Sequence, residues 1–560
     1  MPGNSANMLG GRLAAAVLFA GVLAFGLVAV LWGPTTNWDL RNYHLYDAWA
    51  FLNVRIDTDI APAQLQTYFN PLLQVPFYLT ATRWQIEAHL FLLGTLQGLN
   101  GVLLYLLARR VLPQSLQGDG PGMALAAAFT GVTSATVLGQ LGTTIGDNLV
   151  SIAALAALAL ALERDGPSWR RAGGAGLLLG AGTALKLTLA PIALGIVLAI
   201  VLATPGRRRR RVLVALGTGA ATGFLLLGGW WMWALWQRFG NPVYPQFAAL
   251  FHGPLDPPFP VRDLRFVPDP PWRAFAWPFA PAYDWRTLSE IKFRDLRVPA
   301  LALGTLLLPW WRRRQHTGES VRGLGNALLC GLALAYAGWL TLFGYHRYLA
   351  AVEMLAPLAL LLLLERAMAR SQRLRATAAP ILAALVLTTN PPNWGNAPQG
   401  SGPLELTLPA VVPVRGAMVL LAGDAPSSYL APAWPESARF VRVQSNFHGE
   451  TWPPYAFDRR LAQAIDTHAG PLVVVHARGQ ESLADAGLAR MGVARDRSHC
   501  GTVRTPLAPP DEPPLQLCAA TRTEPATVAL ERSFARWRAD CARNGAPDAL
   551  WRSVCAAVGG

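Results

Sequence analysis

Residues 13–52 read LAAAVLFAGVLAFGLVAVLWGPTTNWDLRNYHLYDAWAFL. The first half, Leu13–Trp32, carries no charge over 20 residues, the length a helix needs to cross the roughly 30 Å of a bilayer's hydrocarbon. The second half changes character at once, with Asp39, Arg41, Asn42, Tyr43, His44, Tyr46 and Asp47 following closely. Read as a helix, Leu45, Ala48, Trp49 and Leu52 fall on one apolar stripe, while Asp39, Asn42, Tyr43 and Tyr46 share another face. This pattern predicts a helix lying at a membrane surface, apolar side down, presenting a carboxylate and hydroxyls sideways. The stretch has the make-up of an active-site floor. Thr36-x-x-Asp39 also has capping-box spacing, which gives Asp39 a purely structural reading as a helix cap.

The rest of the chain places this stretch in a multispanning protein. Of 560 residues, 52% are hydrophobic and 14% charged, a balance that excludes a soluble multidomain enzyme. The net charge of +15 does not point to nucleic acid, because the arginines cluster in short loops between apolar runs, as cytoplasmic loops do. These clusters are Arg109–Arg110, Arg164 with Arg170 and Arg171, Arg207–Arg211, Arg312–Arg314, and Arg366 with Arg370. The first segment follows Arg12 without a convincing cleavage site and reads as a retained helix.

The expected fold is a polytopic α-helical membrane protein of about 11 transmembrane helices, with interfacial helices in the first outer loop. Its membrane domain spans 1–390, with large outer loops at 33–87 and 237–297. The spans fall near 12–32, 88–108, 121–141, 146–162, 212–236, 298–311, 322–343, 349–365 and 376–390, plus one unusual pair. Between Arg171 and Arg207 lie too few residues for two ordinary spans and too many for one, so two short helices meeting near Thr183–Pro191 are expected, with Lys186 at the vertex. The arginine pattern puts the N-terminus inside and the tail outside a cytoplasmic (inner) membrane.

The tail, 391–560, is expected to be a small extracytoplasmic, periplasmic α/β domain. The runs VRGAMVLLAGDAPSS and GPLVVVHARG read as buried strands followed by turns, with a helix near Arg459–Ala469 between them. Cys500, Cys518, Cys541 and Cys555 make an even set suited to two disulfides in an oxidising compartment. Three pairings are open, Cys500–Cys518 with Cys541–Cys555 being the local one.

The concentrated polar chemistry falls on the outer side: Asp39 and its neighbours, Asp147, Lys186, Tyr345-His346-Arg347 and Glu353, with charged pairs in the second outer loop. Ionisable groups at membrane depth are costly and are functional candidates by default. A carboxylate can act as general base towards a hydroxyl, and arginine or lysine can hold a phosphate. No Walker-type loop and no GxGxxG after a strand is present, so the donor is expected to be carried by a lipid.

In these residues the chain resembles the multispanning, lipid-phosphate-sugar-dependent glycosyltransferases of the GT-C fold, most of all the bacterial family 87-like membrane mannosyltransferase group. The resemblance covers about 12–390 and rests on topology and short motifs. It implies an inverting transferase with Asp39, in NWDLRNYH, as catalytic base at the start of the first outer loop. It implies Lys186 and Arg347 as contacts to the donor phosphate, with Arg41 beside them. His44, Tyr43, Asp147, Tyr345, His346 and Glu353 are the expected substrate contacts. The implied partners are a polyprenyl-phosphate sugar, membrane lipid and a glycan or glycolipid acceptor. Several members of the class need a divalent cation, magnesium or manganese. Asp57-Thr58-Asp59 looks like their acidic pair but follows the helix instead of opening it, so no residue is assigned to a metal.

Two other classes compete. A transporter or flippase of lipid-linked sugars predicts functional charges on both sides of the midplane and pseudo-symmetric halves, neither of which the sequence shows. A non-catalytic envelope assembly factor acting through the tail predicts that Asp39 and Arg347 can be replaced freely.

Overall fold

A computed structural model describes residues 3–118, 120–163, 165–311, 319–368, 371–396, 408–410, 414–509, 511–545 and 549–559. The loop arginines Arg164, Arg312, Arg313, Arg314 and Arg370 lie outside the described residues. The chain divides into two compact units, one of residues 1–35, 87–229 and 263–399, the other of residues 36–86, 230–262 and 400–560.

The first unit is a helical bundle. Among the described residues five helices are long and apolar enough to cross a membrane: Gly10–Trp32, Ile86–Val111, Gly206–Phe239, Gly323–Leu342 and His346–Ala367. The shorter apolar helices are Gly122–Val132, Asp147–Ala161, Leu187–Ala203 and Arg297–Leu307. The hub is the helix Ala350–Ala367, packed against Gly122–Val132, Asp147–Ala161, Arg297–Trp311 and Glu319–Leu342. Of its most apolar window 83% is buried, against 17% for Gly10–Trp32, so the first helix lies on the rim.

Glycine sets the closest crossings. A Cβ on Gly176 or Gly180 would collide with the backbone of Leu216 or Ala220, and one on Gly219 or Gly223 with that of Gly173 or Leu177. The helices Trp169–Leu185 and Gly206–Phe224 therefore meet backbone to backbone, as small residues at i, i+4 allow in a membrane. The short pair is present: Trp169–Leu185 and Ala190–Ala203 are joined by Lys186, whose extended backbone leads into a 3-10 turn. The expected span at 121–141 is instead broken. The helix Gly122–Val132 stops, and Ser134 caps a new turn by accepting from the Val137 N–H. The Asp295 carboxylate holds the Ala135 N–H of that turn at 2.9 Å.

The second unit is built on a five-stranded sheet: β1 Met418–Leu421, β2 Arg439–Arg442, β3 Leu472–Ala477, β4 Val493–Thr502 and β5 Leu515–Arg522. The order is β2-β1-β3-β5-β4, with β2, β1 and β3 parallel and the β3–β5 and β5–β4 pairs antiparallel. Strands buried on both faces read as unbroken apolar runs, as MVLL and LVVVHA do. The helix Ala456–Asp466 lies between β2 and β3 in sequence. Disulfides join Cys500 to Cys518 and Cys541 to Cys555.

The segment Thr36–Ile86, expected to be the first outer loop, belongs to this unit. Ile60 bridges Val441 in parallel, donating its N–H to Phe440, and extends the sheet beyond β2. The helix Leu45–Leu52 buries Leu45, Tyr46 and Trp49 together with Val419, Leu421 and Phe440. The expectation of a helix resting apolar side down on a membrane is corrected here: its stripe faces the sheet, and only Leu52, at 44% exposure, stays outside. The helix is also not a plain α-helix, since Leu40–His44 form a π-turn.

Candidate functional site

In the bundle unit the helix Glu319–Leu342 ends before Gly344, whose positive φ lets the backbone approach the Phe266 carbonyl. The chain then runs through a 3-10 turn, His346–Leu349, into the hub helix. This turn places Arg347 among three rings, with its guanidinium carbon 4.8 Å from the Tyr345 centroid, 5.2 Å from Tyr348 and 5.6 Å from Trp394. The Arg347 backbone carbonyl accepts from Gln140 at 3.1 Å, which ties the turn to the broken helix.

Lys186 shares one of these rings. Its Nζ lies 5.6 Å from the Tyr348 centroid, 2.9 Å from Asp147 Oδ2 and 2.5 Å from the Ile145 carbonyl oxygen. Thr188 donates to the other Asp147 oxygen at 3.3 Å. Two cations from distant parts of the chain are thus set on one aromatic ring, where the negative ring face favours positive charge. The outer wall is charged as well. Tyr345 stacks on Phe266 at 4.8 Å and donates to Glu290 at 3.1 Å. Arg265 bridges Asp263 and Glu290 at 2.7 Å each. Burial works to raise the Asp263 carboxyl, but hydrogen bonds from Arg265 and the nearby charge of Arg347 hold it below the usual range.

Beneath the box His346 and Glu353 are bound to one another, Nε2 to Oε1 at 2.6 Å. Glu353 also accepts from the Thr136 N–H at 3.1 Å and hydroxyl at 2.6 Å, and Phe293 stacks on His346 at 3.5 Å. Arg297 pairs with Asp295 at 2.5 Å and donates to Thr130, Thr133 and Thr389. All four ionisable groups are buried, and this web braces the turn that carries Arg347.

Residues 68–336 match glycosyltransferase family 87. The match supports a membrane glycosyltransferase, and the apolar helices agree with it. The family 87 segment includes Asp147, Lys186, Asp263 and Glu290, while Asp39 and the Tyr345–Tyr348 turn lie outside it. Neither the curated proteins nor the solved structures give a match.

Asp39, Arg41, Tyr43 and His44 stand in the sheet unit; Asp147, Lys186, Tyr345, His346, Arg347 and Glu353 stand in the bundle unit. Asp39 is buried in the first turn of the loop helix and makes no side-chain capping bond. Asn37 supplies the cap, its Oδ1 accepting the Leu40 N–H at 2.8 Å, so the capping reading of Asp39 is corrected. Arg41 forms a two-pronged pair with Glu512 at 2.7 and 2.6 Å and donates to the Thr36 carbonyl at 2.8 Å. Tyr43 packs edge-on against His44 and Phe69. Burial alone pushes the Asp47 carboxyl well above the usual range, and its Oδ1 has no partner among the described residues.

The acidic pair Asp57 and Asp59 turns to different partners. Asp57 pairs with Arg238 at 2.6 Å. Asp59 takes Arg55 at 2.7 and 3.0 Å, the Tyr46 hydroxyl at 2.9 Å and the Phe440 N–H at 2.9 Å. Among the described residues no group of three or more His, Cys, Asp or Glu could hold a metal ion. The sequence reading placed Glu290 among the polar residues of the second outer loop and Tyr348 in the motif with Arg347, but missed Trp394 and Gln140; the one signal for Trp394 was its place in PPNW, just after the last apolar run.

Proposed function

We propose that this glycosyltransferase moves a sugar from a polyprenyl-phosphate donor to an acceptor hydroxyl, with inversion, on the outer face of the cytoplasmic membrane. The observation that carries the reading is the pair of cations on the Tyr348 ring, Arg347 and Lys186, in a unit made of apolar helices. Asp39 takes the hydroxyl proton as the acceptor oxygen attacks the anomeric carbon. The bond from that carbon to the phosphate oxygen breaks on the opposite face, and the polyprenyl phosphate leaves with the electron pair. Arg347 and Lys186 meet the charge that develops on it. Asp147 keeps Lys186 extended towards the ring. The chain has about 11 spans in this reading, with the N-terminus cytoplasmic and the sheet unit periplasmic. The two disulfides favour that compartment. No step is assigned to magnesium or manganese.

The test is transfer of labelled sugar from polyprenyl-phosphate donors in membranes holding the full chain. Asp39→Asn is expected to lower transfer about 1,000-fold, the scale of a lost general base, with an unchanged melting temperature. Retained transfer would remove Asp39 from this role, and transfer from a soluble nucleotide sugar would remove the lipid donor.

A further inference from the structure

The second outer loop leaves the bundle unit with an unusual surface. Between Leu264 and Arg286 it exposes Trp272 at 68%, Phe275 at 86% and Tyr283 at 69%. A water-facing loop has no reason to hold three large apolar rings out of the protein. Guanidinium groups are interleaved with the rings: Arg273 lies over Trp272, Arg286 over Trp285 and Arg265 over Phe266. The apolar surface of the rim helix Gly10–Trp32 is of another kind, with Leu13, Val17, Phe19, Leu27 and Leu31 exposed and no charge among them. Aliphatic surface suits hydrocarbon. Aromatic rings alternating with arginine suit the headgroup boundary, where an amphipathic side chain keeps one end dry and the other wet.

The loop is also fixed at a definite level. The turn Trp277–Phe279 and the short helix Ala280–Tyr283 pack against the helix Arg297–Trp311, and the Asp295 N–H donates to the Pro281 carbonyl at 3.2 Å. The strap is therefore continuous with the start of an apolar helix. Its root is one wall of the cation box: Phe266 stacks on Tyr345, Trp277 donates to the Phe266 carbonyl at 3.2 Å, and the His346 N–H donates to the Leu288 carbonyl at 2.8 Å.

We propose that residues 264–286 form a strap seated in the headgroup boundary of the phospholipid bilayer, with Trp272, Phe275 and Tyr283 inserted, and that this seat holds the Phe266 wall of the Arg347 box at the level of lipid phosphates. The first half of the proposal stands on the exposed rings and their packing. The second half rests on the proposed function and gives the strap a purpose there: it sets the box where a lipid-borne phosphate arrives.

The test uses the full chain in phospholipid nanodiscs, with Cys330→Ser to remove the free thiol. Phe275→Cys and, separately, Trp272→Cys carry an environment-sensitive fluorophore. Blue-shifted emission is expected, quenched by lipids with a nitroxide near the headgroup and little by aqueous iodide. Absence of lipid quenching at both positions overturns the proposal, with strong iodide quenching if the loop faces water and weak iodide quenching if it faces another protein. The second half is read with Trp272→Ser/Phe275→Ser. A KM for a long polyprenyl donor raised about tenfold is expected, with kcat and the KM for a short-chain donor within about twofold. An unchanged KM overturns that half. Lipid quenching without transfer of any sugar leaves the strap standing and removes the transferase reading instead.

Discussion

Arg347 in the bundle unit and Arg442 in the sheet unit are the same side chain in opposite settings. Arg442 is fully buried and donates to the carbonyls of Pro62 and Gly423 and to the Ser427 hydroxyl, at 2.8, 3.1 and 2.9 Å. Burial pulls it down to about 9, with the charge of Asp424 working the other way. Arg347 rests among ring faces at the edge of a charged wall. An arginine that satisfies backbone carbonyls holds a fold together. One set over aromatic faces has its charge held by ring quadrupoles, and in the proposed function that charge meets a phosphate. The sheet unit repeats the first pattern: Arg41 donates to the Thr36 carbonyl, Arg55 to those of Glu436 and Ala438 and Arg490 to that of Trp452, and each also pairs with a carboxylate, Glu512, Asp59 and Asp458 in turn.

Two substitutions turn this contrast into measurements. Arg347→Ala is expected to lower sugar transfer about 100-fold, the scale of one lost charge-stabilising donor, with melting little changed. Arg347→Lys keeps the charge but loses the planar fork and recovers only part of the rate. Arg442→Ala is expected to do the reverse: removal of three buried bonds destabilises the chain by about 3 kcal/mol, while transfer per folded molecule stays within a few-fold. Equal melting losses in both variants would erase the distinction between the two arginines.

The sequence made the helices legible because membrane spans and buried parallel strands are written as local apolar runs. The vertex at Lys186 followed from counting residues between two arginine clusters, and MVLL and LVVVHA followed from the absence of alternation. What stayed hidden was non-local. An amphipathic stripe such as Leu45, Ala48 and Trp49 demands an apolar neighbour but does not say whether it is lipid or protein, and here it is a sheet formed some 370 residues later in the chain. Arg41 and Glu512 are 471 residues apart, a pairing that no periodicity encodes. The π-turn at Leu40–His44 adds a residue to one turn and shifts the face on which Asp39 lies. Asn37 outcompeted Thr36 as cap through a choice of geometry that the shared preference of both types leaves open.

The sheet unit carries a pH dependence outside the membrane helices. His448 is fully buried, and burial together with Arg490 and Arg442 holds its imidazole well below the ordinary value. The unfolded chain takes up that proton near its ordinary value of about 6.5, while the folded one does not. The unfolded state then holds more protons, so stability is lost as pH falls below about 6.5, by up to about 1.4 kcal/mol per pH unit. Thermal melting of the full chain between pH 7.5 and 5 measures it, and His448→Phe should flatten the slope. An unchanged slope on that substitution would assign the loss to carboxylates such as Asp485, whose pairs with Arg495 and Arg497 keep it low.

The smallest effect is expected at Asp57. Its pair with Arg238 is largely open to water, with 61% of the carboxylate side chain exposed. Screening and side-chain entropy reduce such pairs to about 0.5 kcal/mol or less. Asp57→Asn should therefore leave melting and transfer nearly unchanged. The substitution is most informative when transfer is titrated with magnesium or manganese. An unchanged titration agrees with a carboxylate that serves Arg238, whereas a shifted one would return Asp57 to a metal and make the sheet unit a second place of charge chemistry.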